Sequence, residues 1–595
     1  APDITKRERI VAYMNNHLEN WLDPKSDWAA IRSVAFLWQL AFSPAAAAQN
    51  MTQTMLTSYP FLASRFSDLK AIGALTRAGR DFQTFYTKGR LERQSNFVQK
   101  ALFQGMADGI IRETQAPELA GYADGNVLAK GFGGNDAQRY ITKFNEAAAF
   151  MFEMAEQINR RLVFRAALQL AMENPASKYV QDVVKKRKLL YDRVRGDMTE
   201  AEAAAYVTAV DATITTQFQY GREYSPRVLR GHARAVLVFK TFIQSYVVFL
   251  ANYPTAAVRS LLILAYLGGF MALPGADDLK EILRMIGWQM FGEDFKLDRE
   301  ARKWIIELLG KDKNGADIAD LMLHGASRKG YGIPALMDML GGTVGADIQL
   351  PVFDRSRAIS AGTILPVELG KIFGPPLASA EKTIAEQGAK ASGAIFGVGF
   401  AAYSAMRDQQ LDWNDSKRWD RVMPRAISSV AKAWRAYNEE GARTRTGSQL
   451  IKFDPRDPYG MAEILGVAAG YTPYRQNLEW DKVISRQDAT KLWEIRNQGL
   501  MRQFGNAVLA KDNDERARVL GAIRKFNQEL PSEARGFAIT GDALRQSVEK
   551  KAESRQMQER GLSTKKRDIP VIRAEDELYP ESQKEFRRVP RGLTP

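Results

Sequence analysis

The sequence predicts an all-α protein: an extended multi-helix assembly with a Gly/Pro-rich loop region and a charged C-terminal tail. Three observations carry that expectation. Apolar residues recur at helical spacing along most segments, strand-like alternation is almost absent, and glycine and proline concentrate at 121–136 and 326–377. At 595 residues, 45% of them hydrophobic and 10% aromatic, the chain is too apolar to be disordered and can bury a large core. A length prior of roughly 150 residues per domain suggests about four domains. The continuity of the helical pattern predicts one extended helical assembly unit instead. Its stretches are an N-terminal helical region at 1–120, a long-helix basic region at 121–230, an apolar helical region at 231–325, Gly/Pro-rich loops at 326–378, a C-terminal helical region at 379–560 and an extended tail at 561–595.

The individual elements follow from their apolar spacing and their stop signals. Residues 4–22 place Ile10, Val11, Met14, His17, Leu18 and Trp21 near one face of a helix that ends at Asp23-Pro24. A second helix runs from about Asp27 to Phe42. Ser43-Pro44 opens a third, which the Tyr59-Pro60 pair is expected to stop. The stretch 91–113 is helical and precedes the glycine-rich loop 121–136. From Asp136 a long helix reaches about Glu173, and helix resumes after Pro175 through Lys185-Lys186-Arg187-Lys188. Thr199 followed by Glu202 is a capping-box pattern. Further helices are expected over Ser379–Glu440, 487–511, 514–528 and 541–560, and the proline-punctuated tail is either extended over a partner or disordered.

Charge and composition exclude several functions. Without cysteine there is no disulfide framework, thiolate metal site, iron–sulfur cluster or cysteine nucleophile. Three histidines, His17, His232 and His324, leave little for a metal site or a triad. The net charge of +15 favours anionic partners, nucleic acid or phospholipid. Residues 1–230 carry 30 basic and 24 acidic side chains, 231–400 carry 18 and 17, and 401–595 carry 36 and 28, so two basic flanks enclose a nearly neutral middle. The start at Ala1 rather than Met predicts a processed product or a segment of a longer polypeptide. The N-terminal APDITKRERI has no apolar signal region, so standard export is not expected.

The candidate catalytic motifs all fail on context. Gly131-Phe132-Gly133-Gly134 has no preceding strand, and Gly362 to Gly370-Lys371 has the wrong spacing for a P-loop, with Ile372 where a Mg²⁺-binding hydroxyl belongs. Asp312-Lys313-Asn314-Gly315 lacks the liganding positions of a calcium loop. Asp277-Asp278 follows Gly275 at a helix start, where capping explains it. The expectation is therefore a protein that is not an enzyme and needs no cofactor or metal.

Two kinds of binding site remain. The block Lys185, Lys186, Arg187 and Lys188, with Arg227 and Arg230, suits phosphate contact, although a solvated helix face would look alike. Three uncharged runs, after Lys240, from Ser260 to Ala276 and from Ala391 to Met406, are each shorter than the roughly 20 residues of a bilayer span. They read as core helices or as segments inserted conditionally in a membrane. Their candidate contact residues are Phe242, Val247, Phe249, Leu262, Leu264 and Phe270, with Gly393 and Gly397 in a GxxxG spacing. The stretch Trp413–Tyr437 then interleaves Trp413, Trp419 and Trp434 with Lys417, Arg418, Arg421, Arg425, Lys432 and Arg435. That pattern fits a membrane interface or a helical core equally.

The order of these blocks resembles the large polyvalent proteins of tailed bacteriophages, in their C-terminal associated domain. Asn50-Met51-Thr52-Gln53 before Tyr59-Pro60-Phe61-Leu62 is similar to one family block, and Ser225-Pro226-Arg227-Val228-Leu229-Arg230 before Phe239-Lys240-Thr241-Phe242-Ile243-Gln244 to another. The apolar helices, a GYGIPAL turn and a GGTVGADIQLP loop follow, so the resemblance covers about two thirds of the chain. It rests on order and spacing, and no block is a catalytic signature. It implies an internal virion protein of a short-tailed phage, packaged near the portal and ejected ahead of the genome. Such a protein would join an oligomeric conduit across the periplasm and inner membrane. The implied partners are copies of itself in a ring or tube, other ejection proteins, portal or tail proteins, phage DNA and the host inner membrane. Two alternatives stay open: the non-catalytic scaffold of an injected multi-enzyme polyprotein, and a portal- or tail-associated protein that never leaves the particle.

Overall fold

The computed structural model describes residue 14 and residues 42–88, 96–111, 135–218, 241–291, 296–309, 313–326, 405–406, 416–420, 422–444 and 447–559. They are mostly helical, 82% helix in 18 helices, with one small two-stranded sheet. The expected all-α class is therefore found. The helices expected over 4–22 and 27–42, the loop at 121–136, the Gly/Pro-rich region and the tail lie outside the described residues, apart from isolated positions. Two compact units form, residues 1–375 with 382–480 and residues 376–381 with 481–595.

The first unit begins with α1 (Pro44–Met51), a π-helical turn (Thr54–Ser58), α2 (Tyr59–Phe66) and α3 (Asp68–Lys88). The stop expected at Tyr59-Pro60 does not occur. Pro60 sits in the first turn of α2, directly after the π-turn, whose last bond runs from the Tyr59 N–H to the Thr54 carbonyl, so the chain stays helical through the proline. After α4 (Asn96–Ala107), the 39-residue α5 (Asn135–Glu173) is followed by α6 (Lys178–Lys186), α7 (Lys188–Val194) and α8 (Glu200–Gln217). The Thr199 capping box forms as its spacing predicts: Thr199 Oγ1 accepts from the Glu202 N–H, and the Glu202 carboxylate accepts from the Thr199 N–H at 2.9 Å.

The core lies where α5, α8, α3 and the π-turn meet. Alanines at 203, 205, 209 and 212 are fully buried, which lets α8 approach α5 closely. The buried hydroxyls of Thr208, Thr213 and Thr216 donate to the carbonyls four residues earlier at 2.7–2.9 Å, so none is stranded in the apolar interior. The π-turn is knitted to α8 and α5 by polar groups. Ser58 donates to Thr216 Oγ1 at 2.9 Å, Gln217 Nε2 donates to Ser58 at 2.8 Å, and Thr54 donates to Asn159 Oδ1 at 2.8 Å. The Asn50–Leu62 block therefore packs into the core and carries a buried, connected polar network.

The neutral middle forms α9 (Thr241–Asn252), α10 (Pro254–Gly268), a 3₁₀ turn (Phe270–Ala272), α11 (Ala276–Phe291), α12 (Leu297–Leu309) and α13 (Lys313–His324). The first apolar run breaks into two helices at Tyr253-Pro254, and the second ends at Gly269, which takes a φ of 72°. Asp277 and Asp278 stand in the first turn of α11. No helix among the described residues is long and apolar enough to cross a membrane. The first unit ends with α14 (Arg425–Asn438), the hairpin β1 (Gly441–Arg443) and β2 (Gln449–Lys452), α15 (Pro458–Ala468) and the start of α16 (Tyr474–Ala510). The antiparallel strands pair Gly441 with Lys452 and Ala442 with Ile451, and a bulge follows Ala442. Strands of three and four residues are too short to show alternation, which is why the sequence reading has none here.

In the second unit α16, α17 (Asn513–Glu529), a 3₁₀ turn (Ser532–Phe537) and α18 (Gly541–Glu559) enclose Phe504, Val519, Ile523, Phe526 and Leu544. Asp512 caps α17 by accepting from the Glu515 N–H at 2.9 Å. Asn527 closes the connection by exchanging two hydrogen bonds with the Ile539 backbone, at 2.9 and 3.0 Å.

Candidate anion-binding cleft

The α14 helix has two chemically opposite faces. At 3.6 residues per turn, Arg425, Ser429, Lys432, Ala436 and Glu439 fall along one side, and Ile427, Val430, Trp434 and Tyr437 along the other. The first set lines a cleft of about 500 Å³, opposite the β-hairpin and the segment from Val467 to Trp480. The second set is exposed, with Trp434 stacked on Tyr437 at a ring-centroid distance of 6.3 Å. Sequence reading leaves the cations and tryptophans of 413–437 open as a membrane interface or a helical core. On α14 the cations Arg425 and Lys432 and the ring of Trp434 fall on opposite faces.

The cleft is electropositive. Five cations (Lys417, Arg425, Lys432, Arg435, Arg443) line it against two carboxylates, Asp420 and Glu439. Glu439 is shared, 3.0 Å from Arg443 Nε and 3.4 Å from Lys417 Nζ. Arg435 donates to Asp420 Oδ2. Arg425 forms no ion pair among the described residues, and it is exposed where it lines the cleft. Among the described lining residues the cations outnumber the carboxylates by three, which favours an anion in the cleft. Tyr471, Gln476, Asn477 and Trp480 add flat and hydrogen-bonding surface. Among the described residues the buried Gln476 Oε1 has no hydrogen-bond partner.

The walls are built to hold their shape. Arg475 grips the buried Glu463 through two hydrogen bonds, one of them 2.8 Å from Nε to Oε1, and lies 5.4 Å over the ring of Phe453, which lines the cleft. That hydrogen bonding to Glu463 raises the arginine pKa above its usual value, against the opposing effect of partial burial. At the rim, Gly441 approaches β2 so closely that a Cβ would fall on the Ile451 carbonyl oxygen. Gly470 takes a φ of 92° beside Ser43, Ala45 and Ser429, and the Ala45 N–H donates to the neighbouring Ala469 carbonyl at 3.3 Å.

The other expected site residues fall elsewhere. In the basic block Lys185 and Lys188 are exposed, but Lys186 and Arg187 reach the buried Asp211 of α8 at 3.1 and 2.8 Å. Tyr179 donates to the same carboxylate at 3.2 Å. Half the block thus neutralises an interior charge. Phe249 and Leu264 are buried in the core, Val247 is half-buried, and Leu262 and Phe270 are exposed. Trp419 is half-buried. Arg227, Arg230, Gly393, Gly397 and Trp413 lie outside the described residues, as does the side chain of Phe242. Among the described residues no group of three or more acidic or histidine side chains is placed to hold a metal ion. The contribution of the hairpin and of Tyr471–Trp480 to the cleft escapes sequence reading. Compared with known proteins, the chain matches no family model, no curated protein and no solved structure.

Proposed function

We propose that this chain is a non-enzymatic internal virion protein of a short-tailed phage. In this reading it is packaged near the portal and ejected to form part of an oligomeric conduit that delivers DNA across the host envelope. The observation that carries the reading is the cationic cleft, whose charge excess and rigid walls suit the phosphates of a nucleic acid. The order of sequence blocks that resembles the large polyvalent phage proteins supports the virion assignment. The exposed Ile427, Val430, Trp434 and Tyr437 and the exposed Val258, Leu262, Tyr266 and Phe270 offer apolar surface for contact with further subunits or lipid.

The test compares the protein content of full particles with particles that have released their genome. An ejected protein disappears with the DNA, and retention at full copy number would sink the proposal in favour of a fixed portal or tail component.

A further inference from the structure

The cleft has features that phosphate binding alone does not require. A duplex offers a protein its phosphates and the edges of its stacked bases, and its ring faces stay hidden. A concave site of about 500 Å³ falls in the size range of small-ligand pockets, and it carries Tyr471 and Trp480 among its cations. Aromatic rings beside cations are the combination that binds unpaired strands, because every base has a face to stack and every linkage a charge to neutralise. Side-chain amides at Gln476 and Asn477 stand with the rings, and the Gln476 oxygen is unsatisfied in a buried position. An unpaired base edge carries N–H donors that could meet that oxygen.

We propose that this cleft holds one or two consecutive unpaired nucleotides of a single strand or strand end. Arg425 and Lys432 bind the phosphate and Trp480 stacks on a base. The inference rests on the nucleic-acid reading above and narrows it to a strand type. Recognition is by stacking and charge and is tolerant of sequence.

The experiment uses the full chain and three labelled probes followed by fluorescence anisotropy at low salt. They are a 12-nucleotide single strand, a blunt hairpin duplex of equal charge and a linear polyphosphate of equal charge. The single strand should bind at least tenfold more tightly than either competitor. Trp480→Leu should weaken single-strand binding by about 5- to 100-fold, the usual worth of one stacked base, and leave duplex binding unchanged. Trp480→Phe, which keeps an aromatic face, should restore most of the loss, so a folding defect cannot imitate the result. Arg425→Ala combined with Lys432→Ala should weaken the single strand and polyphosphate together. Equal affinity for all three probes, or a Trp480→Leu chain that binds the single strand as before, overturns the strand preference while leaving DNA binding in place. No binding of any probe overturns both readings.

Discussion

At the residue scale the interior is organised by a few charged side chains whose partners lie far away in sequence. Arg160 is 2% exposed, and its guanidinium donates to the carbonyls of Ile110, Gln217 and Phe218, the last at 2.8 Å. It fixes the exit of α8, where Phe218 takes a φ of 48°. Arg160→Met should therefore destabilise the first unit by about 2–4 kcal/mol in urea unfolding, through carbonyls left without a donor. Arg160→Lys should recover less than half, because an ammonium lacks the planar fork that reaches several acceptors. Nothing in the local sequence distinguishes Arg160 from Arg161. The same holds for Lys186 and Arg187, whose partner Asp211 stands in an Ala/Thr-rich helix with no nearby cation in sequence.

A second prediction belongs to Asp68. It accepts from Arg259 Nε and Nη2 at 2.9 and 3.0 Å and from the Tyr59 hydroxyl at 3.0 Å. The hydrogen bonds from Arg259 hold its carboxyl below the usual aspartate range despite some desolvation. A depressed carboxylate contributes stability that is complete above the unfolded-state value, and that stability fades as pH falls through the folded one. Urea midpoints recorded from pH 7 down to pH 3 should fall less steeply in Asp68→Asn than in the parent. Parallel curves would refute the linkage.

At the element scale helix identity was largely legible and helix contact was not. The long helix ending at Glu173, the capping box at Thr199 and the helices at 513–529 and 541–559 match their expected bounds closely, because caps and apolar spacing are local signals. The junction of α10 with α13 has no such signal. Gly269 and Gly325 each follow a helix end with φ near +70°, and each lies against the other's chain. A Cβ on Gly269 would fall on the Leu323 and His324 backbone, and one on Gly325 on the Leu267 and Gly269 backbone. Gly269→Ala should cost about 2 kcal/mol or more, since it adds a left-handed strain to a backbone clash. The double variant with Gly325→Ala should fall short of the sum of the singles, because both open the same contact. Differential scanning calorimetry of the three variants checks this.

At the scale of the whole molecule, three buried phenols set an alkaline limit. Burial raises Tyr179 well above its ordinary value, and Tyr206 likewise, each assisted by a carboxylate neighbour. Burial pushes Tyr246 up to about 12, with a bond to Ser260 opposing. For a raised group the stability is complete below the unfolded value near 10 and is lost as pH climbs through the folded one. A fraction of the tyrosinate absorbance should therefore appear only together with loss of native circular dichroism above pH 10, whereas ionisation of all 20 tyrosines in a still-folded chain would contradict the burial. The fold class was legible from composition and periodicity. The cleft was legible only in part. Its cations stand in one sequence stretch, but a three-residue strand and a turn supply the opposite wall, and pairing of that kind leaves no periodic trace.

The two-glycine clasp also bears on how the molecule is made. It joins the ends of a chain segment of 55 residues, from 270 to 324. Closing a loop of that length carries an entropy cost of roughly 3–4 kcal/mol, which the contact offsets with backbone packing and the burial of Leu267 and Leu323 beside it. Condensation of the helices in between brings the ends together and lowers that cost, so the clasp closes most easily after them. On this argument the clasp is among the last features to lock and the first to release under tension. For a chain proposed to leave a particle with its genome, a late lock lets the helices between its ends rearrange before it closes.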